Sequence, residues 1–308
     1  MTGQPTDRAS AAMIAKMRFR RRAARFLLLP VLACAMACSG AGTEDVLTRA
    51  RASGTLRVAL TEANPPWNFL DDADRPAGYD VDVARELAKR LRIGQVEFIG
   101  SDYASFIGGV LADRFDIVVS AQTITSRRRE QVDFSRPYAV NDVAVFVRTG
   151  DTAIVDVGDL AGRRIAVSEG TTEADFARSA IPRANVRTYR NATLGLTDLS
   201  QGRADAALVS RFQGGYLATR KALPVRAAIP ALHREILGMS FRKGSPHFRD
   251  AVDTAINGMI ADGTLTAISH RWFGDVDMAA EMRDLPTAKA DKAAPTAPAT
   301  PSPAYRSL

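Results

Sequence analysis

The chain contains very little cysteine: Cys34 and Cys38 are the two in 308 residues, and both lie near the N-terminus. The region that follows them therefore holds no disulfide. Histidine is almost as scarce, and the three residues His233, His247 and His270 lack the spacing of metal ligands. The sequence also has no Ser-His-Asp order, phosphate-binding loop or dinucleotide glycine motif. We therefore expect no metal site and no cofactor.

The positive charge of the chain lacks the pattern of a nucleic-acid surface. The formal net charge is +7, five arginines are concentrated in the eight residues 18–25, and no aromatic residues alternate with a basic stripe elsewhere. A hydrophobic content of 46% and a charged content of 24% are typical of a globular protein. These features predict an ordinary folded chain with no nucleic-acid partner.

The N-terminus has the layout of an export signal. A basic stretch, Met17–Arg25, precedes an apolar segment, Phe26–Ala37, that is too short to span a bilayer comfortably. We expect residues 1–38 to be a signal peptide, with translation starting at either Met1 or Met17. The protein is then exported to the periplasm or the cell surface.

Residues 35–40, Ala-Met-Ala-Cys-Ser-Gly, are similar to a bacterial lipoprotein cleavage box. In that interpretation Cys38 is lipidated and anchors the protein to a membrane. The alternative is ordinary cleavage after Ala37, with Cys38 incidental. Cys34 is a second, weaker candidate, because its apolar segment would be very short.

The central part of the chain alternates between apolar strand patterns and amphipathic helix patterns, which predicts an α/β fold with mostly parallel sheets. Predicted strands are Thr55–Leu60, Gln95–Ile99, Phe115–Ser120, Arg164–Ser168, Val186–Tyr189 and Asp205–Ser210. Predicted helices are Asp80–Arg92, Tyr103–Leu111, Thr172–Ser179 and Thr193–Gln201. Residues 39–53 are expected to form a tether, and residues 278–308 a disordered tail rich in Ala and Pro.

Two stretches of the sequence match each other. Asp113–Ser120 and Gly202–Ser210 each contain a turn, an Arg, an Asp and then an apolar strand that ends in Ser. Because they fall at the same point of two successive βαβ patterns, we predict two similar α/β lobes. Ligands of open α/β sheets bind beyond the carboxyl ends of the strands. The segments to inspect are residues 61–69, 120–128, 169–172 and those from 210 onward.

Short motifs along most of the chain, from Gly54 to Gly274, resemble the family-3 bacterial extracellular solute-binding proteins. The motifs are Gly54–Val58, Pro65–Trp67, Gly78–Val83, Phe115–Ser120, Thr123–Arg128, Val132–Tyr138, Asp159–Gly162, Gly170–Thr172, Gly202–Asp205, Asp262–Thr264 and Arg271–Gly274. The resemblance implies a two-lobed clamshell of the type II periplasmic-binding kind, with the first lobe at 54–145 and 237–277 and the second at 146–236. It also implies a monomeric receptor that closes on a small carboxylate solute, amino-acid-like, and delivers it to an ABC permease in the inner membrane.

By its position in the motif, Arg128 matches the family arginine that pairs with the carboxylate of the ligand. A guanidinium suits this role because its planar fork donates two parallel hydrogen bonds. Ser120 and Thr123 are expected to contact the same carboxylate. Gly170, Thr171 and Thr172 lie between a strand and a helix, where backbone N–H groups attract anions. The two threonines either contact the ligand or only cap the helix.

Trp67 and Phe106 fall at or beside the apolar wall of the family cleft, although either residue can equally belong to the core. Three positions depart from family members that bind α-amino acids. An aspartate is usual where Ser210 stands and near Thr61, and an aromatic residue is common where Asn64 stands. Either Glu62 or Glu169 replaces the missing negative charge, or the solute lacks a standard α-amino group.

The resemblance leaves one enzymatic alternative. Some proteins that resemble this family are exported cyclohexadienyl dehydratases, which use the same cleft to eliminate water from prephenate or arogenate. Such an activity needs a general acid in the closed cleft, with Glu169 and Glu173 as candidates. Glu173 is also explained as a first-turn helix residue favoured by the helix dipole. We expect a receptor rather than an enzyme.

Overall fold

The computed structural model describes residues 44–283 and residue 285. The predicted signal peptide, both cysteines and the part of the predicted tail from residue 286 onward lie outside the described residues. Within the described part of the chain, no helix combines the length and the apolar character needed to cross a bilayer.

The described residues form thirteen strands and ten α-helices. The strands are β1 Thr55–Leu60, β2 Ala63–Asn64, β3 Asn68–Leu70, β4 Pro76–Ala77, β5 Gln95–Gly100, β6 Ile117–Val118, β7 Asp133–Phe134, β8 Ala139–Arg148, β9 Arg164–Ser168, β10 Asn185–Tyr189, β11 Ala206–Ser210, β12 Val225–Leu237 and β13 Ser240–Phe241. The helices are α1 Val46–Ser53, α2 Tyr79–Arg90, α3 Phe106–Leu111, α4 Ser126–Arg129, α5 Thr172–Ala180, α6 Ala192–Ser200, α7 Arg211–Arg220, α8 Pro246–Ala261, α9 Thr264–Phe273 and α10 Met278–Arg283. Two 3₁₀ turns cover Tyr103–Ser105 and Gly158–Leu160.

Two five-stranded sheets organise these elements. The first has the order β5-β1-β6-β13-β7, in which β1 runs parallel to β5 and β6 while β13 is antiparallel to β6 and β7. The second has the order β10-β9-β11-β8-β12, in which β9 is parallel to β10 and β11 while β8 is antiparallel to β11 and β12. We call each sheet with its helices the first and the second lobe. The predicted α/β class is confirmed.

The matching stretches of the sequence build the same contact in both lobes. In the first lobe, the carboxylate of Asp116 accepts hydrogen bonds from the backbone N–H of Arg57 at 2.8 Å and from its guanidinium Nη2 at 2.8 Å. In the second lobe, Asp205 accepts from the backbone N–H of Arg164 at 2.9 Å and from its Nη2 at 2.6 Å. Asp116, just before β6, therefore ties that strand to β1. Asp205, just before β11, ties that strand to β9 in the same way.

Two predictions about the ends of the folded region are wrong. Residues 46–53 of the expected tether form α1, which is capped by Asp45 and buries Val46 and Ala50 in the core. Residues 278–283 of the expected tail form α10, which buries Met278 and Ala279. Each short helix presents only two buried apolar residues, too few for periodicity to reveal, and packing against the first lobe supplies their stability.

Long strands β8 and β12 connect the two lobes and pair with each other over most of their length, from Ala139↔Leu237 to Arg148↔Val225. Along β8, Val140 belongs to the core of the first lobe and Val143 to the core of the second. The guanidinium of Arg234 on β12 binds both carboxylate oxygens of Asp142 on β8, at 2.9 and 3.2 Å. The chain therefore passes between the lobes at a pair of hydrogen-bonded strands, next to the carboxyl ends of both sheets.

Candidate functional site

A cavity lies between the carboxyl-terminal strand ends of the two lobes. The space enclosed between the lobes is about 60 Å³, and it grows to about 610 Å³ when the open solvent at its mouth is included. Its walls are formed by loops of the first lobe and by loops and helix N-termini of the second lobe. Both connecting strands contribute as well.

A buried polar network shapes the first-lobe wall. Asn68 accepts a hydrogen bond through Oδ1 from the backbone N–H of Thr61 at 3.0 Å, and it donates through Nδ2 to Asp80 at 2.7 Å and to Ser120 Oγ at 3.2 Å. The hydroxyl of Tyr138 donates to Asp80 at 2.7 Å. Complete burial raises the pKa of Asp80 to about 7, although these donors oppose the shift. Thr61 lines the cavity, whereas the Ser120 hydroxyl serves this supporting network.

Trp67 belongs to both the core and the cavity wall. Its ring is fully buried and packs against Tyr79, Phe212 and Phe273, with ring centroids 4.7–5.7 Å apart. Its Nε1 donates across the cleft to Ser210 Oγ at 3.2 Å. The indole thus links the two lobes at the floor of the cavity.

A second aromatic side chain of the first-lobe wall is Tyr103. Phe106 is fully buried in the core beneath α3, in edge-to-face contact with Phe115. Residues 103–105 form a 3₁₀ turn before the α-helix begins, and Tyr103 lines the cavity while packing on Phe106.

The turn after β9 brings the second lobe against the first. Gly170 has a φ of +76°, and a Cβ added there would lie 2.9 Å from the Cα of Ala104. Thr171 caps α5, because its hydroxyl oxygen accepts from the N–H of Ala174 at 3.3 Å, and it also lines the cavity. The capping and cavity roles of Thr171 are therefore compatible, and glycine at 170 permits the close approach of the lobes.

Arg128 is 8% exposed and does not itself line the cavity. Its Nη1 donates to the carbonyl oxygen of Thr123 at 2.6 Å, and its Nη2 donates across the cleft to that of Gly170 at 3.0 Å. Its guanidinium carbon lies 5.4 Å from the ring centroid of Tyr103, a cavity residue. By contrast, the side chain of Arg127 is 81% exposed. The charge of Arg128 is thus placed beside the cavity by contacts to both lobes.

Two acidic side chains that sequence reasoning did not assign to solute binding also line the cavity, Glu173 on α5 and Glu235 on β12. Glu235 accepts from the hydroxyl of Thr123 at 2.9 Å and from that of Thr172. His233 Nε2 lies 3.6 Å from it. Burial first, and then the charge of Glu235, raise the pKa of Glu173 to about 7.

The two glutamates proposed from the sequence to replace the missing charge lie elsewhere. Neither Glu62 nor Glu169 is among the residues that line the cavity. Asn64 and Ser210 do line it, and Asn64 Oδ1 is a buried acceptor with no partner among the described residues. The signal that could have identified Glu235 is an acidic residue next to the apolar pair Ile236-Leu237, in a strand that returns to the first lobe.

Further residues contact each other across the cleft or line it. Gln213 Nε2 donates to the carbonyl of Ala63 at 3.2 Å, and Arg190 forms an ion pair with Asp102. Arg190 and Gln213 line the cavity as well. Among residues 44–283, no group of three or more His, Cys, Asp and Glu is arranged to hold a metal ion. The site can therefore enclose a small molecule between polar groups of both lobes.

Comparison with known families gives a match over most of the described chain. The model of the bacterial extracellular solute-binding proteins, family 3, matches residues 56–275. Among curated proteins, the chain is 30% identical to the L-cystine-binding protein TcyJ of Escherichia coli K12 over 255 residues, which is 82% of this chain and 96% of that protein. It is 27% identical to the ABC transporter arginine-binding protein 1 of the same organism, covering 73% of this chain and 93% of that protein.

Solved structures show the same similarity. The ancestral amino acid-binding protein AncCDT-1, described as a precursor of cyclohexadienyl dehydratase, superposes with a TM-score of 0.68 at 31% identity, covering 74% of this chain and 99% of that one. The solute receptor for L-cysteine of Neisseria gonorrhoeae superposes with a TM-score of 0.70 at 25% identity, covering 74% of this chain and 93% of that one. The predicted two-lobed architecture is confirmed.

Proposed function

This chain belongs to family 3 of the bacterial extracellular solute-binding proteins, and we propose that it captures a small amino-acid-like or other carboxylate solute for an ABC importer. As a solute-binding receptor it performs no chemistry on the solute in this proposal. The observation that carries it is a cavity lined by polar groups from both lobes at the strand ends. Solute enters between the lobes, and their closure about β8 and β12 buries it.

The carboxylate of the solute is assigned to the Arg128 side of the cavity. Arg128, Thr123 and the turn at Gly170–Thr172 meet there, and contacts between them already cross the cleft. A carboxylate that replaced the two carbonyl acceptors of Arg128 would gain a bidentate, charge-assisted pair. The amino acids named for the relatives, cystine, arginine and histidine, support a solute of this class.

The partner in transport is an ABC permease of the inner membrane, and the receptor acts as a monomer. Family membership supports an extracytoplasmic location. Lipidation of Cys38 is part of the proposal, and replacement of Cys38 by Ser tests it: the variant should be released from membranes, and unchanged membrane association would oppose lipidation.

A thermal-shift screen of the chain from residue 39 onward tests the function. The panel contains the natural amino acids, their keto and hydroxy analogues, opines and dicarboxylates. A ligand at about 100 times its dissociation constant stabilises the native state by roughly 2.7 kcal/mol, which raises the melting temperature by several degrees. A screen without any carboxylate hit would contradict the proposal.

A second candidate is a dehydratase of the cyclohexadienyl type. The observation that favours it is the Glu173 carboxyl in the cavity, because burial raises its pKa to about 7 and so suits it to general acid catalysis. The similarity to AncCDT-1 points to the same cleft. Incubation with prephenate and with arogenate distinguishes the two candidate functions. Formation of the dehydrated product supports the enzyme, and unchanged substrate supports the receptor.

A further inference from the structure

Glu173 and Glu235 meet in the cavity from two different elements, the first turn of α5 and the connecting strand β12. A single side chain contacts both carboxyls: the Thr172 hydroxyl donates to Glu235 Oε1 and lies 3.4 Å from Glu173 Oε2. Both glutamates line the cavity. The two acids therefore face the same small volume rather than separate surfaces.

Hydrogen bonding favours different protonation states for the two acids. Both oxygens of Glu235 accept from hydroxyls, those of Thr123 and Thr172, which holds it as a carboxylate. Burial opposes that charge, but the bond to His233 and the two hydroxyls lower the pKa of Glu235. A hydroxyl has one proton to donate. Because Thr172 donates its proton to Glu235, its contact with Glu173 is favourable when the Glu173 carboxyl is protonated and donates to the Thr172 oxygen. Glu235 thus carries a negative charge beside His233, and the proton of this pair of acids lies on Glu173.

Other charged and titratable groups surround the pair. They are His233 on β12, Asp142 on β8, Tyr103 in the 3₁₀ turn, Arg128 on α4 and Arg190 after β10. Among them His233 lies 3.6 Å from Glu235, and although burial opposes the shift, that carboxylate raises the pKa of His233. Arg128 donates to two carbonyls, Arg190 pairs with Asp102, and Asp142 pairs with Arg234. Among these groups, Glu235 is therefore the one whose negative charge faces the cavity. The hydroxyls that hold it there do not have to be displaced when the solute binds.

A neutral acceptor on the cavity wall gives independent support for a donor on the solute. Asn64 lines the cavity, and its Oδ1 is buried without a hydrogen-bond partner among the described residues. A buried acceptor without a partner is costly, and a bound group with N–H donors would satisfy it. Ser210 carries no negative charge, and its hydroxyl already donates to Asn141 Oδ1 at 2.6 Å and accepts from Trp67.

We propose that Glu173 and Glu235 together bind an ammonium group of the solute, and that binding expels the proton held on the Glu173 carboxyl. The proton leaves the Glu173 carboxyl for the solvent, and no other bond changes. This inference rests on the proposed function, with the carboxylate of the solute held near Arg128. It replaces Glu62 and Glu169 as the source of the missing negative charge.

Proton release fixes the direction of the pH dependence. The free site holds its extra proton below about pH 7, the value to which the pKa of Glu173 is raised. A bound cation favours the ionised form and lowers that pKa. Binding must therefore strengthen as the pH rises from 6 to about 7, a range that lies below the pKa of the α-amino group of the solute.

Isothermal titration calorimetry with matched solutes tests the proposal. The probes are L-glutamate with 2-oxoglutarate, L-leucine with 2-hydroxyisocaproate, and L-arginine with its 2-oxo analogue, each at pH 6, 7 and 8 in two buffers of different ionisation enthalpy. Glu173→Gln and Glu235→Gln are compared with wild type, and Glu97→Gln, an exposed glutamate on β5, is the matched control. Circular dichroism of every variant checks that it is folded.

For wild type and for Glu97→Gln, we expect at least one amino acid to bind roughly 100-fold more tightly than its deaminated partner, an energy of about 2.7 kcal/mol. Binding should release close to one proton near pH 6. Glu235→Gln should abolish the preference for the amino form, and Glu173→Gln should lower the number of protons released on binding. If Glu235→Gln does not fold, the wild-type pairs and Glu173→Gln decide.

Three results would overturn the inference. Equal binding of amino and deaminated solutes by wild type contradicts the cation site while leaving the receptor function intact. Loss of the amino preference in Glu169→Gln or Glu62→Gln, but not in Glu235→Gln, places the cation elsewhere in the cleft. Failure of every carboxylate probe to bind contradicts the proposed function together with this inference.

Discussion

Arg128 and Gly170 lie on different lobes, yet the guanidinium Nη2 of the arginine donates to the carbonyl oxygen of the glycine at 3.0 Å. The same guanidinium donates through Nη1 to Thr123 in its own lobe. The side chain of Arg128 thus contacts both lobes directly beside the cavity, and its contact with Gly170 depends on the distance between them. In the proposed function, closure of the lobes and binding of the carboxylate depend on this residue at the same time.

Replacement of Arg128 by Ala should weaken binding of the solute at least roughly 100-fold, because it removes a bidentate charge-assisted pair worth about 3 kcal/mol. Calorimetric titration with the best solute from the thermal-shift screen measures this loss. The matched control is Arg127→Ala, since the neighbouring side chain is 81% exposed. Equal affinities of the two variants would remove Arg128 from the carboxylate site.

Replacement of Gly170 by Ala should impair closure. The added Cβ would lie 2.9 Å from the Ala104 Cα of the opposite lobe, so the lobes have to remain slightly apart. Gly162 has a similar positive φ of +70° but no atom within 4 Å of a Cβ placed there, so Gly162→Ala controls for backbone strain. We expect an affinity loss of roughly 10-fold or more for Gly170→Ala relative to Gly162→Ala. Indistinguishable affinities would show that the lobes do not meet here in the bound state.

Replacement of Glu173 by Gln should stabilise the solute-free protein at alkaline pH. The folded state raises the pKa of Glu173 to about 7, so the stability that this carboxyl contributes is present below the pKa of the unfolded chain. That stability is lost as the pH rises to about 7. We expect the variant to exceed wild type by on the order of 2 kcal/mol at pH 8 and to come close to it near pH 4. Urea unfolding at both pH values measures the difference, and a gap that does not change with pH would contradict the raised pKa.

Replacement of Asp205 by Ala should destabilise the second lobe by about 1–2 kcal/mol, an estimate reduced for the partial exposure of the ion pair. The carboxylate binds the backbone N–H and the guanidinium of Arg164, and the side-chain bond to Arg164 is the main cause of its lowered pKa. The loss should disappear as the pH falls through the lowered pKa, because the wild-type pair then breaks too. Asp72→Ala, at an exposed position, is the control in urea unfolding.

Periodicity of the sequence located the strands and helices of the two βαβ halves, but not the connecting strands β8 and β12 or helices α7–α9. The strand at Arg164–Ser168 has its predicted bounds, and helix α5 ends one residue beyond its prediction. The repeated Asp of Asp113–Ser120 and Gly202–Ser210 marks a repeated contact with an arginine. Helices α1 and α10 were missed because two buried residues each give no periodic signal, and tertiary packing decides their conformation.

The cavity was harder to predict than the fold. Strand ends were the right place to search, and Thr123, Thr171, Trp67, Asn64 and Ser210 line the cavity. Tyr103 and Glu235 also line the cavity, although the sequence did not assign them to solute binding. Their positions depend on tertiary structure, which a sequence pattern does not contain. A 3₁₀ turn sets the direction of Tyr103, and Glu235 reaches the cavity through a strand that crosses between lobes.

Isothermal titration calorimetry at pH 8 tests the central claim most directly. Individual amino acids are titrated into the chain from residue 39 onward. The account predicts that at least one amino acid saturates a single site per chain with a dissociation constant of about 10 μM or lower, which corresponds to at least roughly 7 kcal/mol of binding free energy. Saturation by a neutral sugar or a metal ion, with no heat from any amino acid or other carboxylate, would contradict it.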